Sequence, residues 1–197
     1  MSDLYETLIR AAFEKSYISI AINEDGKWVG GMPIPWESTT SAFKMRRPKI
    51  AVSVEEIGTD EVRELLRACR VIGCYCLVPL EDYSFISDFR QLEDLSIRRG
   101  ESIRDLKFIE NLDRLGMLYV ENASIPDLKP LLTVGRKISG GVRLGLFKCS
   151  VQNTSALSEW SEIISELLIW PAEGDSRERW RTKEYPWIMR FYEQRID

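Results

Sequence analysis

The chain of 197 residues contains no histidine. That absence removes Ser-His-Asp and Cys-His nucleophiles, imidazole acid–base catalysis and most catalytic zinc sites, since each uses a side chain that titrates near neutral pH. A large excess of charge is also missing. Lys and Arg number 27 against 31 Asp and Glu, a net −4, so no broad basic field for nucleic acid is expected. No apolar stretch approaches the roughly 20 residues of a membrane span. The first fifteen residues include Asp3, Glu6 and Glu14, where a secretory leader needs a basic start and an unbroken apolar run. Cysteine is scarce, with four residues. Without a targeting segment these are expected as reduced thiols of a cytoplasmic protein, not as a disulfide framework. What remains is ordinary soluble composition, 44% apolar and 29% charged, in a length that one domain can fill.

What the chain does have is a stretch written twice. Leu92-x-x-Leu95-x-Ile97 recurs as Leu115-x-x-Leu118-x-Val120, each anchor displaced by 23 residues. Ile103-Arg104-Asp105-Leu106 recurs as Ile125-Pro126-Asp127-Leu128, displaced by 22. A period of 20–29 residues on an L-x-x-L-x-L core marks a leucine-rich solenoid, whose units bury their apolar faces only against neighbours. At lower fidelity the strand signature extends to Val52–Val54, Cys74–Cys76, Leu144–Leu146 and Leu167–Ile169. Six strands of one parallel sheet are expected, near 52–54, 74–76, 95–97, 118–120, 144–146 and 167–169.

Between them lie helical signals. Thr59 reads as the N-cap of a helix opening with Asp60 and Glu61, and a second helix is expected from Thr154 or Ser155 through Trp160 to Ile164. The fold class is therefore α/β, a solenoid with helices or helical turns on the convex side. Gly135–Gly141 reads as a loop that lengthens one unit. Residues 1–45 read as an N-terminal cap. An amphipathic helix over 3–14 presents Leu4, Leu8, Ile9, Ala12 and Phe13. It is followed by a hairpin through Asn23-Glu24-Asp25-Gly26 that returns at Lys27–Val29. The solenoid is assigned to 46–172, and an aromatic cap with Trp180, Tyr185, Trp187, Phe191 and Tyr192 to 173–197.

Leu112 to Leu132, LDRLGMLYVENASIPDLKPLL, resembles the short leucine-rich repeats of bacterial internalins. The resemblance carries an Ile-x-Asp-Leu-x-Pro-Leu ending, matched by Ile125, Asp127, Leu128, Pro130 and Leu131. It is specific over two units and does not extend to 1–45 or 173–197. The asparagines that the family places at the bend after each strand are replaced here by Gly100, Ala123, Cys149 and Ala172.

Few residues invite chemistry. Cys74 and Cys76 fall at inward positions of a strand, where cysteine packs as a small hydrophobe, so core packing is the expectation for them and no metal site is assigned. Gly135-x-x-x-x-Gly140 lacks the Lys-Ser/Thr ending of a phosphate loop. No cofactor and no enzymatic activity are expected. The local basic groups at Lys44, Arg46, Arg47 and Lys49, and at Arg177, Arg179 and Arg181, read as solvated edges. If Leu95 and Ile97 point inward, the register writes the opposite face in columns. One holds Gly73, Asp94, Met117, Arg143 and Glu166; the next Tyr75, Ser96, Tyr119, Gly145 and Leu168; the last Leu77, Arg98, Glu121, Phe147 and Trp170. Tyr75, Arg98, Tyr119, Glu121, Arg143, Phe147 and Trp170 are the expected partner-binding residues on a concave face, being the types enriched at interface hot spots. The function expected is protein–protein interaction, in the form of an immunity or regulatory protein, monomeric or weakly dimeric, without nucleic acid or membrane. The alternatives are an enzyme lined by Asp25, Trp28, Trp36 and Arg46, and a homo-oligomeric structural protein.

Overall fold

The computed structural model describes residues 3–27, 48–135, 141–153, 156, 164–171 and 189–191. Helix α1, Asp3–Phe13, leads into strand β1, Tyr17–Asn23. Strand β2, Lys49–Ser53, is followed by helix α2, Val54–Ile57, helix α3, Asp60–Ala68, and strand β3, Arg70–Cys76. Then come β4 (Asp94–Ile97), β5 (Met117–Glu121), β6 (Ser124–Asp127), helix α4 (Lys129–Gly135), β7 (Val142–Asn153), β8 (Ile164–Pro171) and β9 (Met189–Phe191). Short 3-10 turns at Ser84–Asp88 and Lys107–Ile109 precede β4 and β5.

The strand order is β2-β1-β3-β4-β5-β7-β8-β9, with β6 paired to the far half of β7, and every described pairing is parallel. The architecture is the expected α/β solenoid on a single parallel sheet. Its register is that of the sequence repeat: Cys74 faces Leu95, Leu95 faces Leu118, Leu118 faces Leu144 and Leu144 faces Leu167. These anchors and the helices' apolar residues, among them Leu8, Val62, Leu66, Ile109 and Leu131, form one continuous core on the inner face.

The first unit departs from expectation. The 22-residue interval from β2 to β3 is not the spacing of adjacent repeats, because β1 lies between them, pairing Ile20 with Ile50 on one side and with Cys74 on the other. The segment β2-α2-α3-β3 is a crossover over β1, and a crossover of that length mimics the repeat period. Residues 1–45 accordingly contribute an interior strand, not only a cap. Asn23–Gly26 is a turn, closed by the Gly26 N–H on Asn23 Oδ1 at 2.7 Å. Lys27 does not begin a strand, β1 pairs in parallel on both sides, and 28–29 lie outside the described residues.

Local signals explain the boundaries. β2 stops at Ser53 because Ser53 and Glu56 form a capping box: the Glu56 N–H donates to Ser53 Oγ and the Ser53 N–H donates to Glu56 Oε2. The S-x-x-E spacing announces that helix start, so Val54 belongs to α2 and not to the strand. Thr59 caps α3 as expected, accepting from the Val62 N–H. Helix α1 buries Leu8 and Ala11, whereas Ile9 and Phe13 stay out, Phe13 at 89% exposure. The long unit is lengthened by β6 and α4; residues 136–140 and the helix expected from Thr154 or Ser155 lie outside the described residues apart from Ala156 and Ile164, and Ile164 opens β8 instead of ending a helix.

All four cysteines are buried free thiols. At the bends Cys149 takes over an asparagine's task, its thiol donating to the carbonyls of Val120 at 3.4 Å and Phe147 at 3.3 Å. Gly100 fits where a side chain does not: a Cβ there would lie 3.0 Å from Ala123 Cβ and 3.1 Å from the Glu121 carbonyl that accepts its N–H.

Because Leu118 is fully buried in the central strand, Leu118→Ala should lower unfolding stability by about 2–5 kcal/mol, whereas Ile9→Ala on the exposed side of α1 should stay within about 0.5 kcal/mol. Urea titrations of both variants provide the check; equal losses would contradict the inward ladder.

Candidate functional site

The face opposite the core is assembled by register. β3, β4, β5 and β7 bring Tyr75, Ser96, Tyr119 and Gly145 into one row, with Leu168 of β8 next. The row below holds Gly73, Asp94, Met117 and Arg143. Above, Glu121 pairs with Phe147, and Phe147 with Trp170, whose place is given by its backbone. Arg98 follows β4 directly, its N–H donating to the Cys76 carbonyl at 2.8 Å.

The expected residues thus share a face, but that face is not open. Asp94 is fully buried, Tyr119 is 3% exposed and Tyr75 5%. Ser19, Ala21, Ser96, Met117 and Leu168 are buried there too, and none of these apolar side chains belongs to the inner core. β1 beyond Tyr17 and β3 beyond Arg70 are buried at every residue, Ser19 and Asn23 included, as in parallel strands covered on both faces. Tyr75 and Tyr119 are therefore packing residues, a correction to their expected place on an open binding surface.

Close packing at Gly73 makes this concrete. A Cβ there would lie 2.8 Å from Ser19 Oγ and 3.0 Å from the Tyr75 hydroxyl, so glycine clears the space that the two side chains fill. Burial, then the Asp94 carboxylate and the Cys74 thiol, push the Tyr75 phenol far above its ordinary range. Tyr75 stays protonated at neutral pH and offers no general base.

The margin of the face is different. Arg98 and Glu121 have 27% and 22% of their side chains exposed, and Arg143 and Phe147 are half-buried. These side chains form one contact chain. The Arg98 guanidinium lies over the Tyr119 ring at 5.3 Å and 3.7 Å from Glu121. The Tyr119 hydroxyl donates to Glu121 Oε2 at 3.1 Å. Gly145, directly opposite Tyr119, presents no side chain, and the Phe147 ring leans against Tyr119 at 4.9 Å. A buried tyrosine thus fixes an arginine, a glutamate and a phenylalanine at the surface. That set can grip another apolar and polar surface, and it contains no nucleophile–base pair.

Elsewhere, Asp25 sits in the turn after β1, accepting from the Lys27 N–H; Trp28, Trp36 and Arg46 lie outside the described residues. Among the described residues no three His, Cys, Asp or Glu side chains group to hold a metal, and no helix is long and apolar enough to cross a membrane.

No protein-family model matches this chain, and no curated protein matches it significantly. Among solved structures it is similar to internalin C2 of Listeria monocytogenes strain 4b F2365, with a TM-score of 0.43 and 20% identity. The likeness covers 52% of this chain, which spans 44% of that one.

Burial sets a pH limit. Desolvation raises the Cys69 thiol to about 11 and the Cys149 thiol to about 12, from an ordinary 9.0, and raises Tyr75 and Tyr119 as well. The unfolded chain loses these protons first, so stability is intact below about pH 9 and falls as pH rises toward the folded values. Melting temperatures followed upward from neutral pH should drop above about pH 9; a flat profile to about pH 11 would contradict the buried thiols and phenols.

Proposed function

We propose that this protein is a non-enzymatic interaction scaffold that binds another protein through the exposed margin of its second sheet face. The observation carrying the proposal is the fixed cluster of Arg98, Glu121 and Phe147 around Tyr119, with Arg143 and Trp170 on the neighbouring strands. Arginine and aromatic side chains dominate interface hot spots because they bury much area while keeping a polar end. Pre-arrangement adds to this, since a side chain already held in place loses less freedom on binding. Tyr119 acts as a support from below and Tyr75 as core; neither is a contact. A role as a cytoplasmic bacterial immunity or regulatory protein suits a small chain that binds without catalysing.

The test compares the protein with Phe147→Ala and Arg98→Ala, by quantitative capture of partners from the native host, followed by thermal unfolding. Loss of a hot spot at either position should weaken capture by roughly thirtyfold, about 2 kcal/mol, with melting little changed. Tyr119→Ala should instead lower the melting temperature. Capture unchanged in both surface variants removes the margin as the binding site, and concentration-dependent mass in light scattering reassigns it to self-association.

A further inference from the structure

The opposite end of the strands carries a feature that the partner-binding margin does not use. A shallow cavity of about 450 Å³ opens where the connections enter β1, β3, β4 and β5. Its wall includes Tyr17, Arg67, Arg70, Asp88, Arg90 and Arg114. Four guanidinium groups against one carboxylate give the lining a net +3, in a chain whose total charge is −4.

The repeat itself builds this row. Arg70 and Arg114 each immediately precede an inward anchor, Val71 and Leu115, and Gln91 before Leu92 is their equivalent in the turn that leads into β4. Each of these three positions lies three residues before the first register partners Gly73, Asp94 and Met117, which stand on neighbouring strands about 5 Å apart. Tyr17 stands opposite Arg70 on β1, and the Arg70 guanidinium lies over its ring at 5.3 Å. Arg67, from the end of α3, is already held by Asp88 at 2.7 Å and Glu64 at 2.5 Å. Arg70, Arg90 and Arg114 form no ion pair with any described residue, and Arg90 makes one long bond to the Asn111 carbonyl at 3.5 Å. Three like charges around one concavity repel each other and leave a positive potential that draws a compact anion. Planar guanidinium forks match oxyanions two bonds at a time.

We propose that this cavity binds a ligand carrying two or three linked phosphate groups. Two such groups bring roughly three negative charges, which matches the lining, and they fit a cavity of this size. An acidic peptide carries the same charge over three residues, about 10 Å of extended chain, and must give up backbone hydration as well. A free polyphosphate and the phosphate tail of a nucleotide share this chemistry. The proposal is independent of the partner-binding margin.

The experiment is calorimetric titration of the full chain with pyrophosphate and, separately, ATP, at about 0.15 M salt so that long-range steering is screened. One-to-one saturable binding is expected, weakened at least roughly tenfold in Arg70→Ala/Arg114→Ala and unchanged in Arg104→Ala. Equal affinities for the two probes identify the phosphate group as the whole ligand, and tighter ATP identifies a nucleotide. If loss of the Tyr17 contact unfolds the double variant, Arg114→Ala alone, at an exposed side chain, carries the same comparison. No saturable binding of either probe, the same affinity in the arginine variants, or equally tight triglutamate would overturn the assignment.

Discussion

Everything in this molecule depends on one vertical ladder of apolar side chains, in which Cys74, Leu95, Leu118, Leu144 and Leu167 stack in register across five parallel strands. No single unit can bury its own anchor. Each is shielded by the neighbour on either side, so the stability of one strand is the stability of the row. The 3-10 turns and helices close the same core from the side, with Ile86, Ile109 and Leu131 filling the space between strand anchors and surface. Polar demands at the bends are met by whatever fits that fixed spacing, such as the Cys149 thiol on two carbonyls and the bare backbone of Gly100.

The second constraint is that the sheet is buried on both sides across β1, β3, β4 and β5. A parallel sheet with one solvated face exposes every second residue, whereas β1 beyond Tyr17 and β3 beyond Arg70 are buried throughout, Ser19 and Asn23 included. Once Tyr75, Asp94 and Tyr119 are inside, two clusters among the described residues meet solvent at the ends of the strands. At one rim lie Arg98, Glu121 and Phe147; at the other, Arg70, Arg90 and Arg114. The two rims differ physically. The first is neutral, aromatic and braced by contact with a buried ring, which suits a surface that meets another surface. The second is a concavity of mutually repelling cations, which suits a compact anion.

Placement of β1 shows how a period can mislead. Val52 to Cys74 spans 22 residues, the right number for adjacent repeats, yet the chain uses that length to step over β1. A repeat count measures the path along the chain and does not say which strand fills the gap. The local signals at the same place are better guides: Thr59 starts the helix as expected, and the Ser53-x-x-Glu56 box, passed over in the expected strand 52–54, stops the strand.

By itself the sequence determined the repeat, the inward and outward sets from β3 to β8, and the burial of the cysteines, because periodicity of two and of about 23 residues is a direct imprint of strand pleat and solenoid register. It also determined which side chains share a row, down to Tyr119 opposite Gly145 and Glu121 opposite Phe147. Only the tertiary structure decided which of them meet water. Exposure depends on what lies over a face, and the period of a strand does not record that. For the same reason only the fold could place β1 between β2 and β3, bring Arg98 onto Tyr119, and gather arginines from three separate connections into one cavity. Contacts between residues far apart in sequence leave no local pattern to read.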